Sequence, residues 1–216
     1  MIRVVCILIG YLFGLFQTAY LIGKMHGIDI RNYGSGNSGT TNMMRTLGTK
    51  AGLWTFAGDF LKCVAAVLVV RLLFGKRYPD MIPLLGMYTS AGVILGHNYP
   101  FYLNFRGGKG IAATAGMIFS LFNPILCITE IAIFAITFNL THYVSLGSLL
   151  VYVGLVVQIA LFSAIGWFHM SRAYLIEMFC VTVALAVLAF WKHRENIQRL
   201  RNGTERKTYL SKKNHR

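Results

Sequence analysis

The sequence predicts an all-α integral membrane protein, a bundle of seven transmembrane helices with its N-terminus outside and its C-terminus cytoplasmic. Three observations carry that expectation. The chain of 216 residues is 56% hydrophobic and only 13% charged, too apolar for an ordinary soluble domain. Several windows are long enough to cross about 30 Å of hydrocarbon. No period-2 alternation of the β-barrel kind accompanies them. The expected organisation is one membrane domain over residues 1–207 and a basic tail over 208–216. No internal repeat of the inverted-transporter kind is visible.

The spans fall in order at 2–23, 51–74, 81–97, 111–123, 124–141, 144–168 and 172–191. The first follows Arg3 as a signal peptide would, but runs on without a small-residue cleavage site, so it reads as a retained helix. The fourth is short and meets the fifth at Asn123-Pro124, a turn signal. A six-span alternative takes 111–141 as one bent helix.

Lysine and arginine decide between these counts. The segments 24–50, 98–110, 142–143 and 192–216 carry 15 of the 21 basic residues. Seven spans put all four on the cytoplasmic side; six would separate the first loop from the tail. The formal net charge of +14 then points to anionic headgroups and cytoplasmic loops. No aromatic-basic motif of an RNA-binding kind accompanies it, so no nucleic-acid partner is expected. Cys6, Cys63, Cys127 and Cys180 all lie in apolar runs without a CxxC pair, which argues against disulfides and zinc.

The first cytoplasmic loop reads Tyr33-Gly34-Ser35-Gly36-Asn37-Ser38-Gly39-Thr40-Thr41-Asn42. Its glycines let backbone N–H groups converge on a small anion. Thr40, Thr41 or Asn42 is expected to cap a short helix through Met43–Leu47, with Arg45 in its first turn. A helix N-terminus with an arginine suits phosphate. A solvated connector has the same composition, and the loop alone does not separate the two readings.

The second loop runs Gly96-His97-Asn98-Tyr99-Pro100 to Arg106-Gly107-Gly108-Lys109-Gly110. Lys109 stands on a permissive backbone just before span four, again an anion-site pattern. It is not a Walker A loop, which requires another glycine and a Ser or Thr after the lysine. Arg106 equally suits a lipid headgroup anchor. In the third turn, Ser145 and Ser148 share a helix face, either for function or for helix packing. His193 and Asn196 are also three apart, where span seven leaves the bilayer, and a basic interfacial stop signal reads the same way. Asp59 and Lys62 form an i, i+3 pair inside span two. Glu130 and Glu177 have no evident partner.

Known chemistries narrow the field. There is no H-x4-D dyad, no G-x-S-x-G elbow and no H-E-x-x-H site. The cytoplasmic loops hold few carboxylates, which disfavours a Mg²⁺-dependent nucleotide enzyme. A basic site rich in hydroxyls and amides remains. An organic-phosphate transporter shares these features with an enzyme.

Three motifs and the tail add a resemblance. Gly34 to Asn42 with Arg45-Thr46-Leu47-Gly48, Gly96-His97-Asn98-Tyr99-Pro100 through Gly107-Gly108-Lys109-Gly110, and Tyr143-Val144-Ser145-Leu146 are similar to the motifs of the bacterial acyl-phosphate:glycerol-3-phosphate acyltransferases (PlsY). His193-Arg194-Glu195-Asn196-Ile197 and Gly203-Thr204-Glu205 resemble the family's tail. The resemblance covers about residues 10–207. Departures are Ser38 and Thr40, where many members have Ile and Ala; Gln17, where a Pro-containing stretch is common; and Cys63, in place of a usual Gly.

The resemblance implies transfer of a fatty acyl group from acyl phosphate to the 1-hydroxyl of glycerol 3-phosphate, the first step of phospholipid biosynthesis, in the bacterial cytoplasmic membrane. Partners would be the two substrates and membrane lipids, with no cofactor and no metal. On this reading Arg45, Lys109 and Ser145 bind phosphate, with Gly36, Asn37, Thr41 and Asn42 in the cradle. Ser35, with Asn37, Thr41 and Asn42, completes the cradle and polarises the carbonyl, and His193 and Asn196 hold the glycerol end. His97, Asn98, Gly107 and Gly108 form a second tier. The general base is either His193 or a substrate phosphate.

Overall fold

The structure is a computed structural model that describes residues 1–209. The expected tail residues Lys212, Lys213 and Arg216 lie outside the described residues. Within residues 1–209, regular structure is helical: ten α-helices and three single 3-10 turns. Four stretches are long and apolar enough to cross a membrane on their own, Ile2–Met25, Pro124–Thr141, Val144–Ala164 and Arg172–Lys192.

The first expected span is two helices, α1 (Ile2–Gly14) and α2 (Thr18–Met25). Unwound backbone inside a bilayer must find donors within the protein, and here each freed carbonyl has one. Gln17 Nε2 donates to the carbonyls of Gly14 at 3.1 Å, Gly96 at 3.2 Å and His97 at 3.1 Å. The Tyr102 hydroxyl donates to Leu15 O at 2.6 Å, and Lys62 Nζ to Phe16 O at 2.7 Å.

Helix α3 spans Thr40–Leu47 and is preceded by Gly39, which provides no side-chain cap. The expected caps Thr40, Thr41 and Asn42 are therefore inside the helix, and Arg45 lies in its last turn rather than its first. The reason is that Asn42 is engaged elsewhere, as described below. Helix α4 (Thr49–Phe74) follows after Gly48, whose φ of +90° makes the corner. Then come α5 (Ile82–Asn98), α6 (Ile111–Ser120), α7 (Pro124–Thr141), α8 (Val144–Ala164), α9 (Arg172–Lys192) and α10 (Arg194–Arg201).

Helix α6 has 10 residues, about 15 Å at 1.5 Å per residue, half of the hydrocarbon thickness. The expected span 111–123 is thus a half-length helix. It ends in a turn where Asn123 Oδ1 accepts the Leu126 N–H at 2.9 Å and Pro124 starts α7.

The tightest packing is between α1 and α5. Gly10 and Gly14 on one helix face Gly92 and Gly96 on the other, each pair four residues apart. A Cβ at Gly10 would sit 1.9 Å from Thr89 O, and one at Gly92 would sit 2.1 Å from Ile7 O. The two backbones are in contact, the small-residue packing that membrane helices use in place of a hydrophobic driving force. At the far end of this pair, Arg3 Nη2 reaches Glu177 Oε2 at 2.7 Å, and the Tyr88 hydroxyl donates to Glu177 Oε1 at 2.6 Å. Glu177 thereby gains partners 174 and 89 residues away.

Candidate active site

The first loop is shaped by side chains that turn inward on its own backbone. Asn42 is almost fully buried. Its Nδ2 donates to Tyr33 O at 2.9 Å and Ile30 O at 3.2 Å, and its Oδ1 accepts the Ser35 N–H at 2.9 Å. Asn42 therefore holds the cradle in shape from behind. Gly34 sits at φ +60°, and a Cβ there would fall 2.2 Å from Asn42 Oδ1. Arg31, which sequence reasoning left aside, pairs with Asp29 at 2.6 Å and donates to Leu103 O at 3.1 Å. That bond ties the first loop to the second.

The second loop folds back on the end of α5. The N–H groups of Gly107 and Gly108 donate to Asn98 O at 3.2 Å and His97 O at 3.1 Å. Both glycines are forced: a Cβ at Gly107 would meet His97 O at 1.9 Å, and one at Gly108 would meet His97 Nε2 at 2.1 Å. Gly110, at φ +80°, opens α6. His97 lies in a buried cluster under this loop. Lys62 Nζ approaches its Nδ1 at 2.9 Å and Asp59 Oδ1 at 2.8 Å, while Thr18 Oγ1 donates to Asp59 at 3.0 Å. The ammonium must donate to the ring, so Nδ1 is the bare nitrogen and the ring proton is on Nε2, towards Gly108. Asn98 is fully buried, and among the described residues neither of its amide atoms has a hydrogen-bond partner.

The third turn and the tail meet at Glu205, to which sequence reasoning gave no role. Glu205 Oε1 accepts from Ser145 Oγ at 2.8 Å and from Asn196 Nδ2 at 2.6 Å, and Oε2 accepts from Arg199 Nε at 2.8 Å. Burial pushes this carboxyl up, but those donors outweigh it and hold it below its ordinary value. Asn196 Oδ1 in turn accepts from Lys109 Nζ. Arg45 Nη2 donates to Thr208 Oγ1 at 2.6 Å and to Arg206 O at 3.1 Å. Thr208 N–H reaches His142 O at 2.9 Å. Thr208, one residue past the expected boundary at 207, thus packs back on the ends of α3 and α7.

These elements enclose one cavity of about 910 Å³. Ser35, Gly36, Asn37, Thr41, Asn42, Arg45, His97, Lys109, Ser145, His193 and Asn196 all line it. Asn98, Gly107 and Gly108 do not line it; the two glycines pack against His97, and Asn98 lies against Gly107 and Gly110. The polar mouth continues into an apolar groove between α4, α6 and α7, past Phe60, Ile118 and Phe134.

The electrostatics favour a bound anion. Burial, with Arg199 nearby, pushes Lys109 down to about 8, and burial also lowers Arg45. Both cations lack the solvation that a phosphate's oxygens would replace. Burial and then the Lys109 charge push His193 down to about 4. Its Nδ1 is 2.8 Å from Ala189 O. The neutral ring donates there from Nδ1 and keeps Nε2 as its acceptor. Among the described residues, no group of three His, Cys, Asp or Glu side chains is placed to hold a metal ion.

A family model described as glycerol-3-phosphate acyltransferase matches residues 4–203. The glycerol-3-phosphate acyltransferase of Clostridioides difficile (strain 630) is 40% identical over 206 residues, covering 94% of each chain. That of Thermoanaerobacter sp. (strain X514) is 42% identical over 208 residues, covering 96% of each. Two crystal structures of PlsY (YgiH), an integral membrane glycerol 3-phosphate acyltransferase, are also similar. The glycerol 3-phosphate form has a TM-score of 0.80 at 30% identity, and the lysophosphatidic acid form 0.78 at 29%, each covering 96% of both chains.

Proposed function

The chain belongs to the glycerol-3-phosphate acyltransferase family, and on that premise we propose that it acylates the 1-hydroxyl of sn-glycerol 3-phosphate with acyl phosphate as donor. The observation that carries this reading is the cavity that joins two partly buried cations, Arg45 and Lys109, to an apolar groove. A polar acceptor and a lipidic donor, each bearing phosphate, need that combination.

Acyl phosphate is a mixed anhydride, so its carbonyl is already activated. The glycerol oxygen forms the new C–O ester bond, the carbonyl–phosphate C–O bond breaks, and inorganic phosphate leaves. No covalent enzyme intermediate is required. The protein's task is to hold two anions together and aim them, which removes much of the barrier. Lys109 binds the phosphate of glycerol 3-phosphate next to Asn196, with the Ser145 hydroxyl turning from Glu205 Oε1 to donate to it, and His193 positions the glycerol end. Arg45, with donors beyond its Nη2, and the N–H groups of Thr40 and Thr41, which open α3, hold the donor's phosphate. Ser35 and Asn37 polarise the carbonyl.

His193 is a weak base at about 4. The hydroxyl proton goes instead to a substrate phosphate, whose second pKa is about 6.

We place the chain in the bacterial cytoplasmic membrane with seven passes, N-terminus outside and C-terminus cytoplasmic. The alternation of helix ends around the cavity supports this. Helices α6 and α8 start there and α5 and α9 end there, while Arg3 and Glu177 meet far from it. The acyl chain enters laterally from lipid, along the apolar groove.

Purified protein offered acyl phosphate, acyl-CoA and acyl carrier protein separately tests the reading. Lysophosphatidate from acyl phosphate alone supports it. Organic-phosphate flux in proteoliposomes with no acyl transfer would overturn it in favour of a transporter.

A further inference from the structure

Tyr152 is a buried phenol in the middle of α8, outside the cavity, and nothing in the acyl-transfer chemistry uses it. Its hydroxyl lies 2.6 Å from Thr114 Oγ1 on α6, which in turn lies 2.9 Å from Gly110 O. Each hydroxyl has one proton. If Thr114 gave its proton to Tyr152, the phenol proton would face no acceptor among the described residues, and a buried donor left unpaired is costly. The bonding therefore runs one way: Tyr152 donates to Thr114, and Thr114 donates to Gly110 O.

Gly110 directly follows Lys109, and its carbonyl also accepts the Thr114 N–H at 2.8 Å. On the other side of the lysine, the Gly108 N–H donates to His97 O at 3.1 Å. The backbone of Lys109 is thus held at both neighbours, and the hold at Gly110 reaches across to α8. Ser145 lies on that same helix, seven residues before Tyr152. Seven residues are about two turns, so the two side chains leave one face of α8. Tyr152 ties the helix that carries Ser145 to the backbone that carries Lys109.

At the mouth, a second route joins the same two residues. Lys109 Nζ donates to Asn196 Oδ1, and Asn196 Nδ2 and Ser145 Oγ both donate to Glu205 Oε1. Together the two routes close a ring. They differ in what a bound phosphate does to them. Lys109, Ser145, Asn196 and Glu205 all line the cavity, so an arriving phosphate takes over some of their bonds. Tyr152 and Thr114 are buried outside it, so their route stays intact. A phosphate held by two ligands is bound well only when both already stand at the right separation.

We propose that Tyr152, acting through Thr114 and the Gly110 carbonyl, is a positioning residue for the acceptor site, holding Lys109 and Ser145 at the separation that one phosphate bridges. This rests on the acyl-transfer reading above and on its assignment of both residues to glycerol 3-phosphate.

The test is steady-state kinetics of the purified full-length protein at saturating acyl phosphate with glycerol 3-phosphate varied. Tyr152→Phe keeps the ring and removes only the oxygen. It should raise the KM for glycerol 3-phosphate about fivefold, the worth of one hydrogen bond, with kcat within about twofold of wild type. The KM for acyl phosphate should stay unchanged. In a Ser145→Ala background, adding Tyr152→Phe should raise the KM for glycerol 3-phosphate by no more than about 1.5-fold, because no second ligand is left to place. Thr114→Val, of the same shape without the hydroxyl, breaks the route from α6. It stands in if the phenylalanine variant fails to fold, and should give both results. An unchanged KM in the single variant, or the full rise repeated in the Ser145→Ala background, would overturn the proposal alone; a tyrosine that merely stabilises the bundle gives one of these. A wild type that makes no lysophosphatidate from acyl phosphate would overturn the acyl-transfer reading as well.

Discussion

Ser145 Oγ donates to Glu205 Oε1 at 2.8 Å, joining the first turn of α8 to a residue 60 positions later in the tail. The same carboxylate holds Asn196 and Arg199. Asn196 and Ser145 are thus presented to the cavity through Glu205 and not independently.

Glu205→Gln should raise the KM for glycerol 3-phosphate about tenfold and lower stability by about 1–2 kcal/mol, discounted because Arg199 is partly solvated. Glu205 is held below its unfolded value of 4.5. Its contribution is therefore present above about pH 4.5 and lost as pH falls through the folded value. Thermal melts across that acid range should show a shallower decline in the glutamine variant.

Lys109, at about 8, carries its charge below that pH and loses it above. Phosphate binding should weaken as pH rises through this value, so the KM for glycerol 3-phosphate climbs above about pH 8. Lys109→Arg should remove the inflexion, because a guanidinium stays charged throughout. Steady-state kinetics on both sides of that pH read this directly.

His193→Gln preserves a donor for Ala189 O and removes the imidazole. With a substrate phosphate taking the proton, turnover should stay within about tenfold of wild type while KM rises. Turnover slowed by about two to four orders of magnitude at unchanged KM, the usual cost of losing a general base, would make His193 that base.

Gly92→Leu should prevent α1 and α5 from closing, because even a Cβ would lie 2.1 Å from Ile7 O. The expected loss is at least about 2 kcal/mol, seen as a lower melting temperature in detergent. Gly96→Ala should add a loss of activity, since Gly96 adjoins His97 and a Cβ there would lie 2.4 Å from Tyr11 O.

The helical bundle was legible because apolar runs of this length have one stable form in lipid. Both glycine-rich loops and the start of the tail were legible from residue type, and they do line one cavity. The Asp59–Lys62 pair was legible from i, i+3 spacing, and is seen at 2.8 Å. What one sequence concealed was long-range. Glu177 finds Arg3, Glu130 finds Gln158, and Glu205 finds Ser145 only once helices distant in the chain are packed together. The break at Gln17 was hidden because its acceptors include the carbonyls of Gly96 and His97, some eighty residues on. The early start of α3 was hidden because Asn42 reads as a cap but bonds back to Tyr33 and Ile30. One signal was in view and unused: the four-residue spacing of Gly10 with Gly14 and Gly92 with Gly96 marks the α1–α5 contact.

The central claim is that one cavity holds two phosphate esters side by side. A crystal structure of the protein with glycerol 3-phosphate and a non-reactive acyl phosphonate together tests it most directly. The account predicts both phosphorus centres in the cavity, one hydrogen-bonded to Lys109 and Ser145, the other to Arg45 and the N–H groups of Thr40 and Thr41. Only one anion in the cavity, or the two on opposite faces of the bundle, would contradict it.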